Sequence, residues 1–569
     1  MRDCQRYEVG AIALNRPASI AVYLAPDDPY AFEYCEILAY GGFPIVRVDD
    51  FKADALAPHN VLLLCGRGEL TAAQRKILAD WISNSGGSVV VSGSTWGLEY
   101  LLSLTVTPPT RQRCWAKPVD TNDRLWPKGA PDVHALLPLN LGLNGATAAV
   151  VDELGQPLVT RNRVGILVGC HLGALQKIYT LGRAVESEAV PAWDGTGGDL
   201  AGLPQAIDGT ALSFETDRDQ PEGAPVPYFA RPHVDVWREI YLRAVVEAVE
   251  KARAMVAIPW YWPQGADSCA AMSVDCDDLN PESLLILVSS LQRYSMPATW
   301  MVPVPGLPLD AYRALRKLGH EIGLLFRGQD HTFNVDNIRV QQQQIARGSG
   351  SNVISTRNHG SYWHRHRLFY EMISASGLGY SVAKGGTSAG SAGFPFGTCH
   401  PFLAYPEALR RTAVFEIPYV LHQLGDENSD RLLGPIFETV AQMSGLMHVA
   451  QRTSQASNER RETATQEFFM RVRQHKMLQV NLDDIHKFIQ ARRTLKQRYL
   501  SNKLILTNDN EVKGLAIMVN DVELAADSEN GAMSGTVVER YGVKWKQFVI
   551  DMERKDSFDL SFRASPIAA

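Results

Sequence analysis

Continuous apolar runs alternate with helical patterns along the first hundred residues. Three runs have strand length: "SIAVYLA" (19–25), "NVLLLCG" (60–66) and "SVVVSG" (88–93). Such runs are typical of strands that are buried on both faces. The stretch "TAAQRKILADWISNSGG" has a helical period, with Thr71 in the N-cap position and Gly86 and Gly87 at its end. This alternation predicts a parallel sheet with helices on both faces.

The pattern changes twice further along the chain. The helical stretch "VDVWREIYLRAVVEAVEKARA" ends near Ala254, and a second series of strands and helices then runs to about residue 495. After it, short strands of alternating polarity are separated by Asn, Asp and Gly turns, which is typical of a β-sandwich. We therefore expect three domains: α/β at 1–254, α/β at 255–497 and a β-sandwich at 498–569.

Composition and charge narrow the functional classes. The net charge of -6 and the pI of about 6.2 do not favour a nucleic-acid partner. No apolar stretch reaches the roughly 18 residues of a membrane-spanning helix, so we expect no membrane association. The 8 cysteines occur singly without a CxxC pair, and the N-terminus lacks the apolar core of a signal peptide. These features favour a reduced, cytoplasmic protein and leave the oligomeric state open.

The stretch "AMSVDCDDLN" (271–280) places three carboxylates at the end of an apolar run. Carboxylates this close repel one another, and burial increases the repulsion. A cation, a basic neighbour, a shared proton or open water must therefore compensate. In an extended chain Asp275 and Asp277 project to one side, whereas Asp278 begins a turn. Asn280 and Pro281 then match the N-cap and first position of a helix.

The first domain resembles the class I glutamine amidotransferase-like fold in its trehalose-utilisation (ThuA-like) branch. The resemblance rests on "VLLLCGRGELTAAQRKILADWISNSGGSVVVSGSTWGLEYLL" (61–102) and implies a doubly wound α/β domain. The family's amidotransferases place a nucleophilic Cys in a G-x-C-x-G turn, where this chain has "GSTWG" with Thr95. A Thr hydroxyl without an evident base is a poor nucleophile. We expect this domain to be non-catalytic, without glutaminase activity.

The second domain resembles the polysaccharide deacetylase-like superfamily (NodB homology, carbohydrate esterase family 4), which implies a distorted (β/α) barrel. Four segments carry the resemblance in the family's order: "SVDCDD" (273–278), "GHEIG" (319–323), "TRNHG" (356–360) and "LMHV" (446–449). The match implies that Asp275 is the catalytic base and that Arg357 orients it. It implies that Asp277 is a metal ligand, with Asp278 as an alternative for either carboxylate, and that His448 is the general acid.

The resemblance also implies a divalent metal, with zinc as the first choice. A catalytic zinc site has three protein ligands and a water. The two positions that hold metal-binding histidines in the family are Leu325 and Gln329 here. The predicted ligand set is therefore Asp277, Asp278, His331 and His359, with His320, His364 and His366 as further sources of a third ligand.

Three functions are consistent with these patterns. The first is a divergent metal-dependent deacetylase-like hydrolase, acting on an N-acylated sugar or a related small amide. The second is a catalytically inactive member of the same superfamily that binds a glycan or a metabolite. The third is a structural assembly protein. The acidic cluster and Arg357 favour the first function, whereas Leu325 favours the second.

Overall fold

The computed structural model describes residues 16–196, 202–405, 412–500, 503–528 and 531–564. The described chain has a mixed α/β architecture, followed by a part built of antiparallel strands. Within these ranges, no helix is long and apolar enough to cross a membrane.

The described residues up to Lys251 form twelve strands and six α-helices. The strands are β1 (Arg16–Pro17), β2 (Ile20–Leu24), β3 (Ile45–Arg47), β4 (Val61–Cys65), β5 (Ser88–Ser92), β6 (Leu104–Thr107), β7 (Arg113–Pro118), β8 (Val133–Leu136), β9 (Asn140–Leu143), β10 (Thr147–Asp152), β11 (Pro157–Arg161) and β12 (Gly165–Val168). The helices are α1 (Phe32–Tyr40), α2 (Ala53–Leu56), α3 (Ala72–Ser85), α4 (Glu99–Leu102), α5 (Leu172–Leu181) and α6 (His233–Lys251).

Nine of these strands form one sheet in the order β3-β2-β4-β5-β12-β11-β10-β7-β8. The strands from β3 to β12 are parallel, and those from β12 to β8 are antiparallel. Successive residues of β4 belong to different apolar cores, because Leu63 faces the core that includes α6 and Leu64 faces the core that includes α3. Helices thus cover both faces, as the apolar runs predicted.

Local signals explain where the elements of this sheet begin and end. The hydroxyl of Thr71 accepts the amide of Gln74 at the start of α3, and Gly86 ends that helix with a φ of 65°. Glycine adopts this left-handed conformation without steric cost. The predicted strands at 19–25, 60–66 and 88–93 are confirmed as β2, β4 and β5.

The second part of the chain runs from β13 to α13. Its strands are β13 (Ala254–Met255), β14 (Ala257–Pro259), β15 (Cys269–Asp275), β16 (Thr299–Val302), β17 (Glu321–Phe326), β18 (Ser355–Asn358), β19 (Tyr380–Ser381), β20 (Phe402–Tyr405), β21 (Val414–Glu416), β22 (Leu421–His422), β23 (Leu446–Arg452) and β24 (Leu478–Gln479). Its helices are α7 (Pro281–Arg293), α8 (Leu309–Lys317), α9 (Val335–Ser349), α10 (Leu368–Ser376), α11 (Glu427–Gln442), α12 (Glu459–Gln474) and α13 (Leu482–Thr494).

Ten of these strands form a sheet in the order β20-β21-β19-β18-β17-β16-β15-β23-β22, with β24 beside β15. All pairs are parallel except β20 with β21. In the described part of the chain the outer strands β20 and β22 do not pair with each other, so the sheet stays open instead of closing into the expected barrel. The parallel arrangement brings the carboxyl ends of β15, β18, β22 and β23 to one edge.

The last part of the chain consists of strands alone. They are β25 (Lys496–Leu500), β26 (Lys503–Thr507), β27 (Val512–Val519), β28 (Leu524–Ser528), β29 (Gly531–Met533), β30 (Thr536–Arg540), β31 (Val543–Met552) and β32 (Ser557–Ala564). They form two antiparallel sheets, ordered β14-β27-β31-β30 and β25-β26-β32-β28-β29, which share one apolar core. The strand β14 therefore belongs to a sheet whose other strands follow about 250 residues later in the sequence. The domain boundaries near 254 and 497 stay predictions.

Candidate functional site

The acidic cluster lies at the carboxyl end of a fully buried strand. All seven residues of β15 are buried, and the strand ends at Asp275. In the register of the sheet, Asp275 lies beside Met301 of β16 on one side and Arg452 of β23 on the other. Paired residues on neighbouring strands face the same side of a sheet. The site is thus formed where α/β folds commonly carry their chemistry, at the carboxyl edge of the parallel strands.

Asp275 faces a buried arginine. Nε of Arg357 lies 3.5 Å from Oδ2 of Asp275, and the two side chains are only 2% and 8% exposed. The guanidinium carbon of Arg357 lies 4.5 Å from the ring centroid of Tyr419. Burial raises the pKa of Asp275, and the positive charges of Arg357 and Arg452 oppose this increase. Arg357 is therefore the basic neighbour that the carboxylate needs.

Several polar atoms around this pair have no hydrogen-bond partner among the described residues. They are Oδ1 of Asp275, Nε and Nη1 of Arg357, and Nε2 of His422. His422 ends β22 beside this pair, and the charges of Arg452 and Arg357 add to burial in lowering its pKa. Buried polar atoms usually have a partner, so these four atoms mark a place where a ligand or ordered water can bind.

Asp277 and Asp278 are held by other parts of the protein. The backbone N–H and the hydroxyl of Ser454 donate to the Asp277 carboxylate over 3.0 Å and 2.7 Å. Burial would raise the pKa of Asp277, but these bonds and the hydroxyl of Thr453 outweigh burial and lower it. Oδ1 of Asp278 accepts the amide of Asn280, and Oδ2 accepts the hydroxyl of Ser283. Both predicted metal ligands thus accept hydrogen bonds from protein donors.

Among the described residues, His331 and His359 form no group of three close ligand atoms with these carboxylates, although His359 lies near Asp275 and Asp277. His331 is exposed, and His359 is half-buried. Burial and the charge of Arg327 lower the pKa of His359, whereas the charges of Asp275 and Asp277 oppose this.

Two groups of three potential ligand atoms lie within 4.8 Å of one another in the described residues. They are Asp235 with Cys399 and His400, and Cys114 with Asp152 and Glu153. Neither group contains any of the four predicted ligands. In the first group, the carboxylate of Asp235 accepts the amide of Cys399 over 2.8 Å, and His400 contacts Tyr40 and the carbonyl of Met443. These contacts join α6 to the second part of the chain.

The two family histidine positions hold a leucine and a glutamine. Leu325 is fully buried and lies beside Arg357 in the register of β17 and β18. Gln329 begins a short turn in which its amide donates to the hydroxyl of Thr332 over 2.9 Å. An aliphatic side chain therefore faces the site where a ligand was expected. The residues present do not fit a three-ligand metal centre.

His448 does not present a free ring nitrogen. The ring is fully buried; Nδ1 donates to the carbonyl oxygen of Pro418 over 3.1 Å, and Nε2 accepts the hydroxyl of Ser273 over 2.9 Å. Burial lowers the pKa of His448 to about 3. Because both nitrogens are bonded and the ring is neutral, the structure does not support the predicted general-acid role.

The "GHEIG" segment is structural. Nδ1 of His320 accepts the backbone N–H of Ala298 over 3.0 Å. This histidine thus lies at the amino end of β16, away from the carboxyl edge that forms the site. Glu321 is half-buried and accepts hydroxyl donors, and desolvation raises its pKa to about 7. The donors are Tyr380 at 2.5 Å, Thr299 at 2.6 Å and Ser355 at 2.9 Å.

The amidotransferase-like turn holds Thr95 beside a carboxylate. The hydroxyl of Thr95 donates to the carboxylate of Glu99, four residues later. Cys65 lies at the end of β4, where burial raises the pKa of its thiol to about 12. The expected absence of glutaminase activity stays a prediction.

Sequence reasoning missed His422, Arg452 and Tyr419. The residues His422 and Arg452 each end a short apolar strand, the same signal that drew attention to Asp275. Only the register of the sheet shows that they lie at the same edge.

Neither a protein-family profile nor a curated protein sequence matches the chain. Among solved structures, it is similar to the carbohydrate deacetylase Agd3, with 8% identity and a TM-score of 0.41 over 97% of this chain and 100% of that one. It is also similar to the peptidoglycan deacetylase PdaC from Bacillus subtilis, with 15% identity and a TM-score of 0.25 over 40% and 93%. A ThuA-like protein from Bacteroides uniformis is 15% identical, with a TM-score of 0.23 over 28% and 85%. All three scores are low, so these likenesses carry no argument about function.

Proposed function

We propose that the chain binds an N-acylated sugar or a related small amide at the carboxyl edge of β15, β18, β22 and β23, without metal-dependent hydrolysis. The resemblance of the four motifs to polysaccharide deacetylases supplies the ligand class. The polar atoms of Asp275 and Arg357 that lack a hydrogen-bond partner among the described residues would contact this ligand.

The observation that carries this proposal is the buried pair of Asp275 and Arg357. Each side chain has polar atoms without a partner among the described residues, an acceptor on Asp275 and donors on Arg357. A buried polar atom that lacks a partner costs about 1–3 kcal/mol. The hydroxyl and amide groups of an N-acylated sugar are donors and acceptors, so such a ligand can satisfy both residues.

The proposal excludes hydrolysis because of the residues at the predicted metal-ligand and general-acid positions. Asp277 and Asp278 are bonded to protein groups, Leu325 is aliphatic, and His448 has no free nitrogen. In this proposal the chain therefore lacks the residues that hold the polarising cation and donate the proton in a metal-dependent deacetylase.

A metal-dependent deacetylase is the second candidate function. It is favoured by the Asp275–Arg357 pair, which matches the family's base and its orienting arginine, and by the proximity of His359 to both Asp275 and Asp277. Zinc-dependent release of acetate is the property that separates it from the binding function.

Calorimetric titration with N-acetylglucosamine oligomers in the presence of a chelator tests the proposal. We expect saturable binding that is weakened about tenfold or more, about 1.4 kcal/mol, by Asp275→Asn. The matched control is Asp336→Asn on α9, because that carboxylate is 95% exposed. Absence of binding, or equal binding by both variants, contradicts the proposal. Acetate release that needs added zinc supports the second candidate instead.

A further inference from the structure

A separate cavity with a basic lining lies between α5 and the start of α10. Its volume is about 490 Å³, and none of the residues around Asp275 lines it. Its titratable lining residues are Lys177, Arg365, His366, Arg367 and Glu371. Lys177 comes from the amidotransferase-like part of the chain, and the others come from the deacetylase-like part.

Three consecutive basic residues line this cavity because of the local backbone. Arg365 has a φ of 61°, a left-handed conformation that is uncommon for a residue with a side chain. Its backbone is fixed by two hydrogen bonds to Val185, from the amide of Arg365 over 2.7 Å and to its carbonyl over 3.2 Å. The strained segment is thus held against the amidotransferase-like part, opposite Lys177.

The acidic residues nearby offset only part of this positive charge. Glu33 lies 3.5 Å from Nζ of Lys177, and Glu371 is the carboxylate among the lining residues. In the described residues, no carboxylate lies within ion-pair distance of Arg365 or Arg367. Burial lowers the pKa of His366, and the charges of Arg367, Lys384 and Lys177 lower it further. The imidazole is therefore surrounded mainly by cations.

The helix geometry adds to this preference for a negative charge. The helix α10 begins at Leu368 and is 9 residues long, and Leu368 and Glu371 of its first turn belong to the lining. The first N–H groups of a helix have no intrahelical acceptor, and the helix dipole favours an anion there.

We infer that this cavity binds the phosphate group of a small phosphorylated sugar. Guanidinium groups match phosphate oxygens with two parallel hydrogen bonds, and Lys177 supplies a further charge from the opposite wall. The cavity is larger than a single phosphate, so a sugar moiety has room beside Tyr30 and Leu368. The site is independent of the pair at Asp275.

Calorimetry at low ionic strength tests this inference with glucose 6-phosphate, inorganic phosphate and glucose as probes. We expect glucose 6-phosphate to bind, and the double variant Arg365→Gln, Arg367→Gln to weaken this binding about tenfold or more. The matched control is Arg163→Gln, Arg347→Gln, which removes two exposed arginines outside the cavity. Binding should also weaken as salt is added.

The probes distinguish the sources of the anion. Tighter binding of glucose 6-phosphate than of inorganic phosphate supports a phosphorylated sugar, whereas equal affinities overturn the sugar part and leave a site for the free anion. Absence of phosphate binding, or equal losses in the cavity and control variants, overturns the inference. Thermal unfolding of each variant establishes that it is folded before binding is compared.

Discussion

Nε of Arg357 lies 3.5 Å from Oδ2 of Asp275, the most deeply buried carboxylate of the acidic cluster. The other two carboxylates have different partners. The hydroxyl of Ser454 donates to Asp277, and the hydroxyl of Ser283 donates to Asp278. The cluster is therefore stabilised by one buried cation and two sets of hydrogen bonds.

The buried pair predicts strong coupling between its two members. Arg357→Met should destabilise the fold by about 3–5 kcal/mol, because Asp275 then becomes an uncompensated buried charge. Adding Asp275→Asn should recover part of this loss. Urea unfolding of the single and double variants gives the coupling energy directly.

The control for this cycle is the exposed pair of Arg313 and Asp310, whose atoms lie 3.2 Å apart. Exposed ion pairs contribute about 0–1 kcal/mol, so Arg313→Met should change stability little. A coupling energy near zero for Asp275 and Arg357 would contradict the pairing.

The bonds from Ser454 predict a pH dependence of stability. Asp277 has a lowered pKa in the folded state, so its stabilising contribution is present above the unfolded pKa of about 3.9 and is lost as the pH falls through the folded value. Asp277→Asn should flatten this acid-side decrease. Melting temperatures between about pH 3 and pH 6 measure it, with the exposed Asp336→Asn as control.

Ser454→Ala should remove one charge-assisted bond to Asp277, at a cost of about 1–2 kcal/mol near neutral pH. An unchanged melting temperature would show that Ser454 does not hold the carboxylate.

Glu321 predicts the opposite pH dependence. Its pKa is raised to about 7 in the folded state, so the folded protein binds more protons than the unfolded chain between about pH 4.5 and pH 7. Stability attributable to Glu321 is therefore complete below the unfolded pKa and decreases as the pH rises toward 7. Glu321→Gln should remove this decrease. Chemical unfolding at several pH values measures it, and equal pH profiles for both proteins would argue against a protonated Glu321.

The elements that the sequence predicted well are those with strong local signals. The strands β2, β4 and β5 are continuous apolar runs, and α3 carries both an N-cap at Thr71 and a terminal glycine at Gly86. By contrast, β14 is only three residues long and pairs with β27 more than 250 residues later. No local pattern specifies such a partner.

The site shows the same division between local and long-range information. The motif order predicted Asp275 and Arg357, which lie within ion-pair distance of each other although β16 and β17 separate their strands. The partners of His448 are Ser273 on the neighbouring strand and the carbonyl of Pro418, and a motif cannot specify these contacts. The hydrogen bonds of a motif residue such as His448 depend on tertiary structure. A motif alone therefore cannot show whether the side chain is free to react.

Calorimetric titration of zinc into chelator-treated protein separates ligand binding from a metal centre at the acidic cluster. We expect no saturable zinc site that depends on this cluster, so the wild-type chain and Asp277→Asn should give the same isotherm. One zinc ion bound per chain, lost in Asp277→Asn and in His359→Gln, would establish a metal centre at the carboxyl end of β15 and overturn the proposed function.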